Sequence, residues 1–295
     1  MHGEARAHSE REQLAAFRAL AANFAPRDLQ DLMSYPFFSL TKAKRIRPID
    51  YHAGDISIRV EGSAEHGIAS IWDADVLIWV ASQIIEARDA GIATSRLLVA
   101  TPYEILSFIG RGTSGRDYSR LKAAFDRLQS TSVATSIRQP LTRRLHRFSW
   151  INEWKERATG EGRPLGLELI VPDWFYATVL DSTLVLTIDR AYFGLGGGIE
   201  RWLYRLARKH AGKQPDGWRF DLRHLHVRSG SLARYSDFAI DLRRIVRTGC
   251  LPGYRLAIEH TRRGSELLHV WAAPAHRIEQ TVAQLAARFQ AGDKL

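Results

Sequence analysis

Three groups of residues in the sequence have types and spacings that could carry chemistry. The first is His224-Leu225-His226 with Tyr235 downstream. Two imidazoles in that spacing can hold a divalent metal, and a nearby tyrosine can attack a DNA phosphodiester, the outline of a rolling-circle nicking enzyme. That chemistry needs both rings on one face of a strand, where the period of two aligns them. Leu222, Leu225 and Val227 instead read as a short helix, which turns His224 and His226 about 200° apart. Tyr235 also falls on an apolar stripe. The second group is Gly110 to Gly115, GRGTSG, which spells GxGxxG. A dinucleotide cradle needs a preceding strand, but EILSFI reads as a helix. A P-loop needs Lys then Ser or Thr, where Arg116-Asp117 stands. Gly110–Gly115 is therefore expected to be a turn, and Gly194–Gly198 a hinge or cap. Cys250, the sole cysteine, can close no intramolecular disulfide and build no thiolate metal cage. No catalytic residue, metal or cofactor is expected, so the chain reads as a non-enzyme.

The third group is arginine, and its chemistry is recognition. In residues 231–252, SLARYSDFAIDLRRIVRTGCLP, Tyr235, Phe238, Leu242 and Ile245 recur at the spacing of one helical apolar stripe. Ser236, Ile240, Arg243, Arg244 and Arg247 point mostly the other way. Ser231 is the expected N-cap, and Gly249 with Pro252 the stop. A helix that buries one side and holds out arginines can lie in a DNA groove; the plainer reading is a solvated basic face. The same layout occurs 117 positions earlier in GRDYSRLKAAFDRLQS, where Tyr118-Ser119 stands for Tyr235-Ser236. At that offset Leu121 matches Phe238, Phe125 matches Leu242, Arg127 matches Arg244 and Leu128 matches Ile245. Ile105 and Phe108 match Leu222 and Leu225 on a preceding short helix. Stripe, preceding helix and outward arginine in one register point to an internal duplication. The first copy's outward face would carry Arg116, Ser119, Arg120, Ala123 and Arg127.

The elements that must position these helices can be read along the chain. Its 295 residues suggest two domains. The 42 Lys+Arg against 32 Asp+Glu give a net charge of +10, a surface that attracts polyanions. Nine basic residues stand between Arg111 and Arg147 against two acids, Asp117 and Asp126. The basic residues belong to segments with core-forming stripes, which disfavours a membrane surface. No signal-like or membrane-spanning run is present, and a cytoplasmic location is expected.

Residues 1–34 read as an N-terminal tail, disordered or helical, with Gln13–Leu20 helix-like. Tyr35, Phe37 and Phe38 suggest an apolar anchor, followed by a basic arm of Lys42, Lys44, Arg45 and Arg47 that could meet a phosphate backbone; a solvated linker is the alternative. A strand follows over 55–60, then a helix capped by Asp73 and stopped by Gly91, a strand over 97–99, a helix opened by Thr101-Pro102, a turn and the first basic helix. Strands over 132–137 and 147–153 would flank a basic turn carrying Arg143 and Arg144. Helix, strand, helix, turn, helix and hairpin is the order of a winged helix. The second copy reads as a helix over 199–211 (Trp202, Leu203, Leu206 and His210 buried), a strand over 218–220, a helix over 222–227 and the basic helix. A hairpin with Arg262 and Arg263 at its tip and a helix over 277–289 complete it. The fold class expected is α+β, with two tandem winged-helix domains over 35–183 and 184–295.

Two stretches carry a resemblance. YPFFSLTKAKRIRPIDY and FAIDLRRIVRTGCLPGYRLAIE resemble the plasmid replication initiator protein A family, over about Leu32 to Pro274. The resemblance implies tandem winged helices that bind repeated double-stranded sites at a plasmid origin, start replication and repress their own gene. It also implies recruitment of a host replicative helicase or its loader, and a homodimer as one form. On this reading Arg120, Arg127, Arg243 and Arg244 read bases. Arg247 and the wing residues Arg143, Arg144, Arg262 and Arg263 hold phosphates. A repressor alone would look almost the same.

Overall fold

The computed structural model describes residues 10–21, 24–138, 145–161 and 164–273. Of the expected N-terminal tail, the described residues from Glu10 onward pack on the rest of the chain. After a short 3-10 turn at Glu10–Gln13, strand β1 (Phe17–Arg18) lies parallel to an edge of the first sheet, with Phe17 against Leu98. Phe17 is buried, and Arg11 binds Glu153 while Arg18 binds Glu104. The expected helix over 13–20 therefore gives way to a strand, because an edge with free carbonyls and an apolar slot lies within reach. Strand β2 (Arg27–Leu29) and helix α1 (Gln30–Ser34) follow, with Leu29, Leu32 and Met33 in the core.

Strands β3 (Ile49–Ala53) and β4 (Ile56–Glu61) form a hairpin. Helix α2 (Ala74–Asp89) is apolar nearly all round and is accordingly buried over most of its length. Asp73 sits at its N-cap position but does not cap it: its carboxylate accepts from the Ser70 backbone and hydroxyl, and from Arg127. Strand β5 (Leu97–Ala100) runs into helix α3 (Pro102–Phe108), opened by a Thr101–Glu104 capping box and Pro102. Helix α4 (Gly115–Ser130) has its own box, Ser114 with Asp117. Strands β6 (Ser132–Thr135), β7 (His146–Ser149), β8 (Glu153–Ala158) and β9 (Pro164–Ile170) precede helix α5 (Asp173–Leu180) and strand β10 (Val185–Thr187). Then come helix α6 (Gly198–His210), strand β11 (Trp218–Asp221), helices α7 (Leu222–Ser229) and α8 (Tyr235–Thr248), and strands β12 (Tyr254–His260) and β13 (Glu266–Ala272).

The chain is thus a mixed α+β protein, and one order of elements occurs twice. Helix α2, strand β5, helices α3 and α4 and the hairpin β8–β9 make one set, whose strands lie in the order β5-β9-β8 with β1 added at the β5 edge. Helix α6, strand β11, helices α7 and α8 and the hairpin β12–β13 make the other, whose strands lie in the order β11-β13-β12. In each, the lone strand pairs antiparallel with the second hairpin strand, Leu97 to Ile170 in one and Trp218 to Val270 in the other. The hairpin expected over 132–153 differs from this. Strands β6 and β7 leave to join β4 in a separate sheet, β3-β4-β6-β7. Trp150 and Ile151, both fully buried, carry the chain across to β8. Burying those two side chains breaks the expected strand over 147–153 in two.

The stretch expected to separate two domains is a strand: β10 pairs with β2. The buried side chains form one contiguous core from Phe17 to Ala272. Phe37 and Phe38 of the expected aromatic anchor lie inside it, with Phe38 stacked on Trp150 at 5.0 Å, while Tyr35 packs against it partly buried. Two buried ion pairs tie α6 across this core: Arg205 to Asp28 at 2.6 Å and Arg201 to Asp75 at 2.7 Å. Burial raises the Asp75 pKa, against the pull of Arg201 and Arg111. The helix expected over 277–289 lies outside the described residues.

Candidate nucleic-acid interface

The two arginine-bearing helices lie on the surface as their stripes require. In α4, Leu121, Ala124, Phe125 and Leu128 are buried while Arg116, Ser119 and Arg120 are exposed. In α8, Phe238, Ala239, Leu242 and Ile245 are buried while Ser236, Ile240, Arg244 and Arg247 are exposed. Helix α8 starts at Tyr235 with Arg234 at its N-cap position. Ser231 is not the cap; its hydroxyl accepts from Ala233 N–H in the preceding turn. Gly249 ends the helix in the left-handed region, as expected.

The arginines are not equally free. Arg127 donates Nε and Nη2 to Asp73 at 2.8 and 2.7 Å, and this hydrogen bonding raises its pKa. Arg243 is held likewise by Glu266 on β13, at 3.0 and 2.6 Å. Arg244 makes one bond to Asp241, and Arg120 a long one to Asp117. Arg262 and Arg263 stand exposed at the tip of the β12–β13 hairpin. Arg143 and Arg144 lie outside the described residues.

A cleft of about 620 Å³ brings part of the expected arm to α4. Lys42 and Lys44 line it together with Arg111, Arg120 and Arg127, and with His66 and Trp72. Lys42 stands over the Trp72 ring at 5.1 Å. Arg47 is exposed beside this arm. Arg45 is different and corrects the expectation for that residue. It is 6% exposed, and its Nε, Nη1 and Nη2 go to the carbonyls of Arg47, Gly230 and Pro48. Burial, with Arg47 nearby, lowers its pKa to about 10. Arg45 therefore clamps the turn between α7 and α8 instead of reaching for a phosphate.

His224 and His226 sit on a helix, α7, as the spacing of Leu222 and Leu225 predicts. His224 is exposed. His226 is half-buried, its Nε2 2.8 Å from the Ala233 carbonyl and its ring packed on Tyr235 and Phe238. GRGTSG follows helix α3, not a strand, and Gly110 takes φ +66° in the turn.

Residues 27–256 match the replication initiator protein A family. The chain belongs to that family. A relative in Wigglesworthia glossinidia brevipalpis, described as "Putative replication protein", is 32% identical over 229 residues, which cover 76% of this chain and 82% of the relative. Among solved structures, this replication initiator protein A family member shares its fold with crystal structures of domains 2 and 3 of RctB. One has a TM-score of 0.58 at 14% identity, covering 82% of this chain and 97% of that one. The other has 0.54 at 13%, covering 84% and 98%. Family membership gives this initiator a role in the initiation of replication. Among the described residues no helix is long and apolar enough to cross a membrane.

Several residues of this surface escape a reading by helical spacing. Arg111 and His66 line the cleft from loops, where no periodicity marks them. Arg223 and Arg234 are exposed around the α7–α8 turn, and Arg223 lies over the Tyr235 ring at 4.6 Å. The excess of basic residues from Arg111 onward is the one sequence signal that includes any of them.

Proposed function

We propose that this family member binds repeated double-stranded sites at a plasmid origin through two tandem winged-helix modules related by internal duplication, within residues 35–183 and 184–295. The observation that carries this reading is the repeated element and sheet order, each copy of which holds out a basic helix. Helix α4 offers Arg116, Ser119 and Arg120, and helix α8 offers Ser236 and Arg244, to major grooves, with Arg247 on the flanking phosphates. Arg127 and Arg243, each forked onto a carboxylate, would present their remaining guanidinium edge in a fixed direction. Lys42, Lys44 and Arg47 would follow the backbone beside α4, and Arg262 and Arg263 the backbone beside α8. In the first module the hairpin that corresponds to the second module's wing is β8–β9. The β6–β7 pair stands outside that correspondence, and the notion of Arg143 and Arg144 as phosphate-holding residues falls on positions outside the described residues.

No covalent step is needed for this role. The protein would distort origin DNA and recruit a host replicative helicase or its loader from the cytoplasm, and the same binding next to its own promoter would repress its gene. A homodimer is the form expected to repress. Fluorescence anisotropy on the repeats beside the gene tests the binding. Affinity at least a hundredfold above that for a scrambled duplex, falling steeply with salt, is expected. Equal affinity for both would overturn the reading. A plasmid carrying gene and repeats should be maintained; binding without maintenance would leave a repressor only. Metal-dependent cleavage of supercoiled origin DNA, lost in His226→Ala, would replace it with nicking.

A further inference from the structure

The outward faces of α4 and α8 share a pattern beyond charge. Ser119, Ala123 and Arg127 stand four residues apart on α4, and Ser236, Ile240 and Arg244 stand four apart at the same positions on α8. Four residues advance a helix by little more than one turn, so each trio forms one line along its helix. In both lines an aliphatic residue lies between a hydroxyl and a guanidinium. In α8 that residue is large and 58% exposed. The other exposed large apolar side chains nearby, Val227 and Leu232, lie on α7 and in the turn after it. Ile240 alone stands within the arginine face.

An isolated exposed isoleucine is ordinary on a protein surface. One flanked by Ser236, Arg244 and Arg247 on a helix offered to DNA has a specific complement. The major-groove edge of a base pair carries one apolar group, the thymine 5-methyl, and arginine is matched to the O6 and N7 of guanine. We propose that Ile240 is a specificity-determining residue, packing on the 5-methyl of one thymine in the recognised site. Arg244, about 6 Å further along the helix, would contact a base pair within about two steps of it. The inference rests on the reading of α8 as a groove-binding helix.

The test removes the methyl and nothing else. The full chain first selects a duplex from a randomised DNA pool, and each thymine of the selected duplex is then replaced singly by deoxyuridine. Wild type should lose about fourfold in affinity at one position, the worth of one buried methyl, with small effects elsewhere. Ile240→Ala should bind the thymine duplex more weakly and should not distinguish thymine from deoxyuridine at that position. Arg244→Ala should still distinguish them. Ile240 is exposed, so an unchanged urea midpoint for Ile240→Ala separates loss of contact from loss of fold. Wild-type indifference to every deoxyuridine, or an equal deoxyuridine penalty in Ile240→Ala, would overturn the proposal while leaving DNA binding intact. Unchanged DNA affinity in Ile240→Ala would also overturn it and would point to a protein partner at this residue. Failure to select any sequence would instead remove the groove-binding reading and the proposal with it.

Discussion

Asp75 offers a graded test of what holds the two halves together. Its carboxylate accepts from Arg201 Nη1 at 2.7 and 3.0 Å and from Arg111 Nη2 at 3.0 Å. The Asp75 and Arg201 side chains are 0% and 1% exposed, whereas Arg111 is 38% exposed at the rim of the cleft. Replacing Asp75 by Asn leaves a guanidinium in the core without its counter-charge, which costs about 3–5 kcal/mol in buried pairs. Arg201 keeps bonds to the carbonyls of Leu195 and Phe193 at 2.8 and 2.7 Å, so the lower half of that range is expected. Arg111→Met removes only the half-exposed partner and should cost no more than about 1 kcal/mol. Asp75→Leu with Arg201→Met together should cost clearly less than the two single changes added, because no buried charge remains. Urea unfolding of the full chain at pH 7 and low salt reads all five variants, the two single changes included. Two results would defeat the reasoning: a loss under about 1 kcal/mol in Asp75→Asn, or a loss in Arg111→Met equal to it. Either would mean that the buried charge is solvated in a way this geometry does not allow.

Three other expectations follow from the same contacts. Arg244→Ala should cost about 1–3 kcal/mol on a cognate duplex and relax base preference, whereas Arg263→Ala should weaken cognate and random DNA alike; equal effects of both on both duplexes would refute that division. Burial, with Arg228 and Lys209 nearby, drives the His210 pKa from 6.5 down to about 4, and Arg228 Nη2 lies 3.2 Å from its Nε2. The unfolded chain then binds the proton first, so stability is full above about pH 6.5 and falls until about pH 4. The loss across that window, reduced for partial exposure, is about 2 kcal/mol. Urea midpoints should fall less between pH 7 and pH 5 in His210→Gln, and parallel curves for the two proteins would contradict this. Gly230 ends α7 at φ +62°, and a Cβ there would come within 2.9 Å of Pro36. Gly230→Ala should therefore lose about 2 kcal/mol or more, whereas a change below about 0.5 kcal/mol in thermal unfolding would show that the turn can shift away from Pro36.

Much of this protein was legible along the chain because the signals are local. The apolar stripes of α4 and α8, the Thr101-Pro102 opening, the Gly249 stop and the helical character of α7 depend on residues within one or two turns of each other. The order of helix, strand, short helix and basic helix was legible in both halves, and the family followed from residues that lie side by side. Pairing was decided elsewhere. Strands β6 and β7 go to the sheet of β4 and strands β8 and β9 to that of β5, with the buried Trp150 and Ile151 between the two pairs. Charge was the other matter that tertiary structure settled. Arg201 and Arg205, beside the apolar stripe of α6, both lie in the core because Asp75 and Asp28 meet them from 126 and 177 positions away. Arg45 read as part of a phosphate-seeking arm, yet it closes on the carbonyl of Gly230, 185 positions on. A guanidinium looks the same in sequence whether it will face water, a carboxylate or a phosphate. Only the folded chain brings up the partner that decides.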